Sequence, residues 1–189
     1  SSQKPQGRQR NLPPFFFDTG CNDRFSVSGN WRQKQSRLWH GTGNRTLKAG
    51  VMAGLGAALA IGVMEWLSAK LNYPLAVIPF ATSIALVIGS PDAPPAQPRA
   101  LIGGHLVATL VGLMVLHAAG PQPWAAALAV GLAVLAMFVT ETFHPPAGID
   151  PLLVVSVNLP WTFIVAPVLA GALLLTAFAF VWHRWVRRQ

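Results

Sequence analysis

FHPPAGIDP, Phe143 to Pro151, decides the fold, because it sets turn formers and polar groups between two long apolar segments. Two prolines in succession remove two amide donors, and the second keeps Pro145 out of helical geometry. The helix arriving from Trp124 is therefore expected to end near His144. A short helix can start again with Pro146 in its first turn, and Gly148 would let something approach the backbone. His144 and Asp150 stand at the two sides of the break. Non-helical backbone in hydrocarbon needs protein or water around it, so a polar break in an apolar domain is the first place to look for a binding site.

Outward from this stretch the chain reads as a membrane protein. Of its 189 residues 52% are hydrophobic and 11% charged, with a mean hydropathy of +0.45. Leu47 to Leu67 is about 20 residues, or roughly 30 Å of helix, enough to cross the hydrocarbon core. Leu101–Leu116, Trp124–Phe143 and Pro160–Trp182 read as further spans, whereas Leu75–Ile88 and Leu152–Leu159 are short. The expected fold is an all-α membrane protein. It has four long transmembrane helices plus two short proline-broken segments, re-entrant or half-spanning, in a weak internal repeat. Trp66, Trp124, Trp161, Trp182 and Trp185 fall at span ends, as an interfacial belt requires. In the first span Gly50, Gly54, Ala58 and Gly62 recur every four residues, a spacing that admits a close neighbour. Glu65, beside Trp66, reads as an interfacial carboxylate.

Charge sits at the ends. Nine of the fourteen Lys and Arg precede Val51, three more fall in the last six residues, and only Lys70 and Arg99 lie between. Such flanking charge places both termini on one side, the cytoplasmic one, and argues against a nucleic-acid-binding module, which would carry its charge on a packed core. Residues 1–46 are expected to be a basic, mostly disordered tail, 47–183 the transmembrane domain and 184–189 a basic C-terminal tail. The tail lacks the apolar core of a secretory signal, and Asp18 and Asp23 argue against a transit peptide. The single cysteine, Cys21, excludes an internal disulfide. A bacterial inner membrane is the expected location, with a plastid membrane as the alternative.

The two halves repeat one pattern: long span, short broken segment, long span. Pro74-LAVI-Pro79 and Pro146-AGID-Pro151 share a spacing at an offset of 72 residues. Paired proline-interrupted segments are a sequence sign of a transporter whose site lies between repeats near the midplane.

These residues carry a resemblance. FATSIALVIGSPDAPPAQPRALIGGH (Phe80–His105) and FHPPAG (Phe143–Gly148) resemble the two signatures of the HPP family of integral membrane proteins, over about Leu47 to Trp182. The resemblance implies four or more transmembrane helices and, by analogy with members from plastids and cyanobacteria, nitrite transport. It marks Pro98, Arg99, Gly103, Gly104, His105, His144, Pro145 and Pro146 as motif positions. Phe80-Ala-Thr-Ser83 departs from a small Gly-Ala-Ser run, and Asp150 is a departure that argues against a small anion.

The resulting candidate substrate site consists of Thr82, Ser83, Arg99, His105, His144, Pro145, Pro146 and Gly148. Helix starts at Pro79 and Pro146 would aim amides and dipole inward, the hydroxyls would donate, and Arg99 or His105 would supply charge. His144 would carry or pass a proton in symport. The expected partners are the bilayer and a small inorganic anion, with self-association allowed and no nucleic acid, cofactor or metal. The competing classes are a structural or sensory membrane module and a metal enzyme using Glu141, His144 and Asp150. The chain lacks a nucleotide loop, a nucleophile elbow and an HExxH run, so no enzyme activity is expected.

Overall fold

The computed structural model describes residues 43–71, 78–186 and 188. Pro74, the expected start of the first repeated segment, and most of the expected N-terminal tail lie outside them. Among the described residues all regular structure is helical. The long helices are α1 (Gly43–Leu71), α3 (Pro98–Ala119), α4 (Pro123–Val139) and α6 (Ala170–Val186); two shorter ones are α2 (Ile78–Gly89) and α5 (Asp150–Val157). Tight 3-10 turns at Pro94–Ala96 and Pro145–Ile149 lead into α3 and α5. α1 begins at Gly43, four residues before the apolar run at Leu47.

Among the described residues, three stretches are long and apolar enough to cross a membrane: Leu47–Lys70, Pro98–Ala119 and Trp161–Val186. The fourth expected span falls short, since α4 is a 17-residue helix that stops at Val139, well before His144. The cause is a local cap rather than the prolines. Glu141 adopts a left-handed conformation with φ 55°, and the Thr142 amide reaches back to the Met137 carbonyl at 2.9 Å. The Glu141 amide bonds the Phe138 carbonyl at 3.1 Å. This pattern closes a helix by satisfying its last carbonyls, usually with glycine at the left-handed position. α5 ends similarly on left-handed Asn158, φ 57°. The last span is also interrupted, because Ala166 leaves helical geometry (φ −141°, ψ 125°) just before Pro167. Pro167 has no amide to give the preceding turn.

α3 is the central post, packed against α4, α5, α6 and the 145–149 turn. Its buried residues Leu101, Gly104, His105, Ala108, Thr109 and Gly112 follow helical spacing along one face. Two glycines on that face let the broken segment lie against it. A Cβ on Gly104 would stand 2.6 Å from His144 Cβ, and one on Gly112 would stand 2.7 Å from Pro151 Cα. The start and end of the break are thus held to points about 12 Å apart along α3.

α1 joins the bundle through a different face from the one its glycine spacing pointed to. Gly56, Ala60 and Met64 are buried, and a Cβ on Gly56 would meet the Trp182 ring at 2.6 Å. Gly50, Gly54 and Gly62 have nothing within 4 Å of that position. Leu55, Leu59, Val63 and Trp66 are exposed, as are Leu128, Leu132 and Leu135 of α4. In a chain of this hydropathy such apolar faces suit lipid rather than water. Glu65 and Trp66 are both exposed.

Candidate functional site

Where α2, α3 and the break meet, six groups from different parts of the chain form one buried hydrogen-bonded series. Ser83 on α2 lies at the centre, its Oγ 2.9 Å from His105 Nε2 and 2.9 Å from His144 Nε2. On one side His144 Nδ1 donates to the Pro95 carbonyl at 2.6 Å. On the other, His105 Nδ1 is 2.7 Å from Asp150 Oδ2, and Thr109 Oγ1 donates to the same oxygen at 3.2 Å. Ser83, His105, Thr109, His144 and Asp150 are all 0% exposed.

Each member is placed by a local feature of sequence. His105 and Thr109 are one helical turn apart on α3, so both reach the same point on α5. His144 is the residue before the 3-10 turn, extended at φ −129° and ψ 97°, as a residue preceding proline prefers. Asp150 opens α5, where the positive end of the helix dipole favours a carboxylate. The Pro95 carbonyl is directed at His144 by the short 94–96 turn. Phe80 covers the group, its ring centroid 4.8 Å from that of His105, and Gly171 makes room for that ring. The two imidazoles are 5.1 Å apart, centroid to centroid.

Burial makes this chain energetically consequential. A polar group removed from water costs about 1–3 kcal/mol if left without a partner, and a charge costs more. Here every polar atom of the five side chains is matched except Asp150 Oδ1, which is buried and has no partner among the described residues.

Of the eight expected site residues, the structure brings three together: Ser83, His105 and His144. Pro145 and Pro146 shape the turn, with Pro145 exposed. Thr82 is exposed on α2, away from the buried Ser83 beside it. Arg99 is not in the cluster; it pairs with Glu141 at 3.5 Å, with side chains 69% and 72% exposed, and donates to the Thr140 carbonyl at 3.3 Å. Gly148 has nothing within 4 Å of where a Cβ would sit, so among the described residues none uses it for close approach. Close approach belongs instead to Gly103 and Gly104, which meet Thr142 and His144. Glu141, His144 and Asp150 point to three separate partners. Among the described residues, no group of three His, Cys, Asp or Glu is arranged to hold a metal ion.

Three participants escaped the sequence reading: Asp150 as a site residue, Thr109 and the Pro95 carbonyl. Signals existed for two of them. An acid inside an apolar domain is functional by default, and His105 with Thr109 forms a polar i, i+4 pair on an otherwise apolar helix face. A backbone carbonyl leaves no mark in sequence.

The family described as "HPP, transmembrane region" matches residues 42–189. Two transmembrane proteins of Dictyostelium discoideum are similar to the chain. One is 35% identical over 118 residues, covering 58% of this chain and 38% of that protein. The other is 36% identical over 118 residues, covering 58% of this chain and 41% of its own length. Both are named simply as transmembrane proteins, and the chain spans about two fifths of their length. No solved structure matches it.

Proposed function

This chain belongs to the HPP transmembrane family, and from that premise we propose that it is a transporter moving a small anion, nitrite first, together with a proton. The observation that carries the reading is the series Pro95 carbonyl, His144, Ser83, His105, Asp150, fully buried across a break in an apolar helical domain. Ionisable groups at such depth are expensive to keep, and chains of histidine, hydroxyl and carboxylate are a means of handling protons there. Nitrite as the cargo comes from the family resemblance alone. In this reading both termini face the cytoplasmic side of a bacterial inner membrane, or the equivalent side of a plastid membrane.

The site residues are Ser83, His105 and His144, with Asp150 and Thr109 added; Arg99 and Thr82 lie outside it. Purified protein in proteoliposomes, given nitrite, nitrate or formate with a pH dye inside, tests the reading. Uptake of nitrite with internal acidification is the expected result. Absence of flux for all three anions under an inward proton gradient would remove it.

One observation favours a second reading. Because the relatives extend well beyond the matched region, the domain also suits a membrane module that anchors or reports to other parts of a longer protein. Flux across a bilayer separates the two.

A further inference from the structure

We infer that this domain is two three-helix bundles that have exchanged their third helices, and that in transport the bundles move against each other across a seam at Ser83. The motion rests on the transport reading above; the division into bundles does not.

The repeat marked by paired prolines extends to whole elements. α2 opens at Ile78 and α5 at Asp150, 72 residues apart, each with proline in second place. α3 opens at Pro98 and α6 at Ala170, again 72 apart. Pro95 and Pro167, at the same offset, stand in the breaks that precede them. One half of the chain is thus α1, α2 and α3, and the other is α4, α5 and α6.

Packing does not follow those halves. α1 and α2 lie on each other and both on α6, whereas α4 and α5 lie on each other and both on α3. The apolar cores divide in the same way. Ala60 and Met64 of α1, Ile84 and Val87 of α2, and Leu175 and Ala179 of α6 share one core, which Leu101 at the start of α3 joins. In the other bundle Ala108 and Val111 of α3 pack with Ala133 and Met137 of α4, and Val155 of α5 packs with Ala125 and Ala129. Each half therefore lends its third helix to the other. A body with its own core moves as a unit, because close-packed interiors resist deformation.

Two features mark where motion is allowed. Among the described residues the chain crosses between the bundles twice, at 90–97 and 158–169, and each crossing holds one of the proline breaks. Short connections of this kind absorb the dihedral changes of a hinge. The second feature is the seam. Ser83 of the first bundle meets His105 and His144 of the second at 2.9 Å each, and Phe80 covers His105. Such hydrogen bonds are modest in net worth beside an apolar core, so the seam is the surface that gives. Rocking of one bundle against another exposes a site between repeats to each side in turn.

Pulsed spin-label distance measurements test the division. Labelled cysteines replace exposed residues in pairs drawn from Leu59 on α1, Met114 on α3, Leu132 on α4 and Val181 on α6, with Cys21→Ser throughout. The full chain is held in liposomes with and without nitrite, with the seam intact or carrying Ser83→Ala. Leu59–Val181 and Met114–Leu132 share a bundle but not a half, and their distances should stay fixed. Leu59–Met114 and Leu132–Val181 share a half but not a bundle. These should show a second population, which Ser83→Ala raises about tenfold as the seam bonds are lost. The reverse pattern, with distances inside each half fixed and those inside each bundle changing, overturns the inference. Four single, unchanged distances under every condition also overturn it, and the intact-seam protein with nitrite decides this if Ser83→Ala does not fold. Flux is judged separately. A second population without flux of any anion removes the transport reading and leaves the moving bundles, whereas flux with all four distances fixed removes the bundles alone.

Discussion

Two acid–base pairs in this molecule join the same two regions, α3 and the chain that follows α4, yet they differ in nearly every physical respect. Arg99 and Glu141 meet at 3.5 Å with both side chains largely exposed. His105 and Asp150 meet at 2.7 Å with neither exposed. Water screens the first pair, so a full guanidinium and carboxylate hold each other by about 0–1 kcal/mol. The second pair has no water to fall back on, and removing one partner leaves the other buried without its hydrogen bond, which costs about 1–3 kcal/mol for each group stranded. Formal charge is therefore a poor guide to importance here; burial and the completeness of the hydrogen bonding decide it.

The strongest way to break this contrast is Asp150→Ala. It leaves the His105 imidazole and the Thr109 hydroxyl buried without their acceptor, and about 1–3 kcal/mol of stability should be lost for each. Denaturant unfolding in micelles measures this. A loss below 1 kcal/mol would mean that water reaches the site and that the two pairs differ little.

Gly104→Ala should follow, at about 1–3 kcal/mol. The added methyl would stand 2.6 Å from His144 Cβ and 2.8 Å from the Thr142 carbonyl, and backbone cannot step aside as a flexible side chain can. Gly148→Ala is the control, since nothing lies within 4 Å there. Equal stability of the two variants would show that the break does not rest on α3 at Gly104.

Ser83→Ala is expected to cost about 1–2 kcal/mol, by leaving two imidazole nitrogens without their shared partner. Its sharper readout is histidine NMR. In the wild-type protein the two rings communicate through one hydroxyl, so a substitution at His144 should move the His105 Nε2 signal. In Ser83→Ala that coupling should vanish, although the His105–Asp150 contact persists.

How much of this could be read in the sequence depends on how local each cause is. The membrane class, the helical fold, the break at the prolines and the involvement of Ser83, His105 and His144 all follow from composition, chain chemistry or the family resemblance. The early end of α4 did not, because it depends on Glu141 adopting a left-handed conformation that sequence patterns assign to glycine. The interruption at Ala166 hid inside an unbroken apolar run in which Pro167 was the single warning. Arg99 looked like a site residue because it carried the one fixed positive charge near the motif, and its exposure is a property of packing. Asp150 was visible all along as an intramembrane acid. Its role depends on facing His105, 45 residues away, and that pairing exists only in three dimensions.

The smallest effect is expected at Arg99, and it sharpens the comparison from the weak side. Arg99→Gln removes a pair that is exposed at both ends, together with one long hydrogen bond to the Thr140 carbonyl. Stability should change by less than about 1 kcal/mol, and the change should shrink further in high salt, since exposed charges are screened within about 10 Å at 0.1 M. Nitrite uptake should keep its pH dependence, because the groups assigned to the proton lie elsewhere. A site built around Arg99 predicts the opposite: anion affinity weakened at every pH by about 1–3 kcal/mol, the worth of a charged hydrogen bond. Measuring uptake against nitrite concentration at two pH values separates the alternatives. A uniform loss of affinity in Arg99→Gln with normal folding would move the anion out to the rim, next to the pair that geometry makes weak.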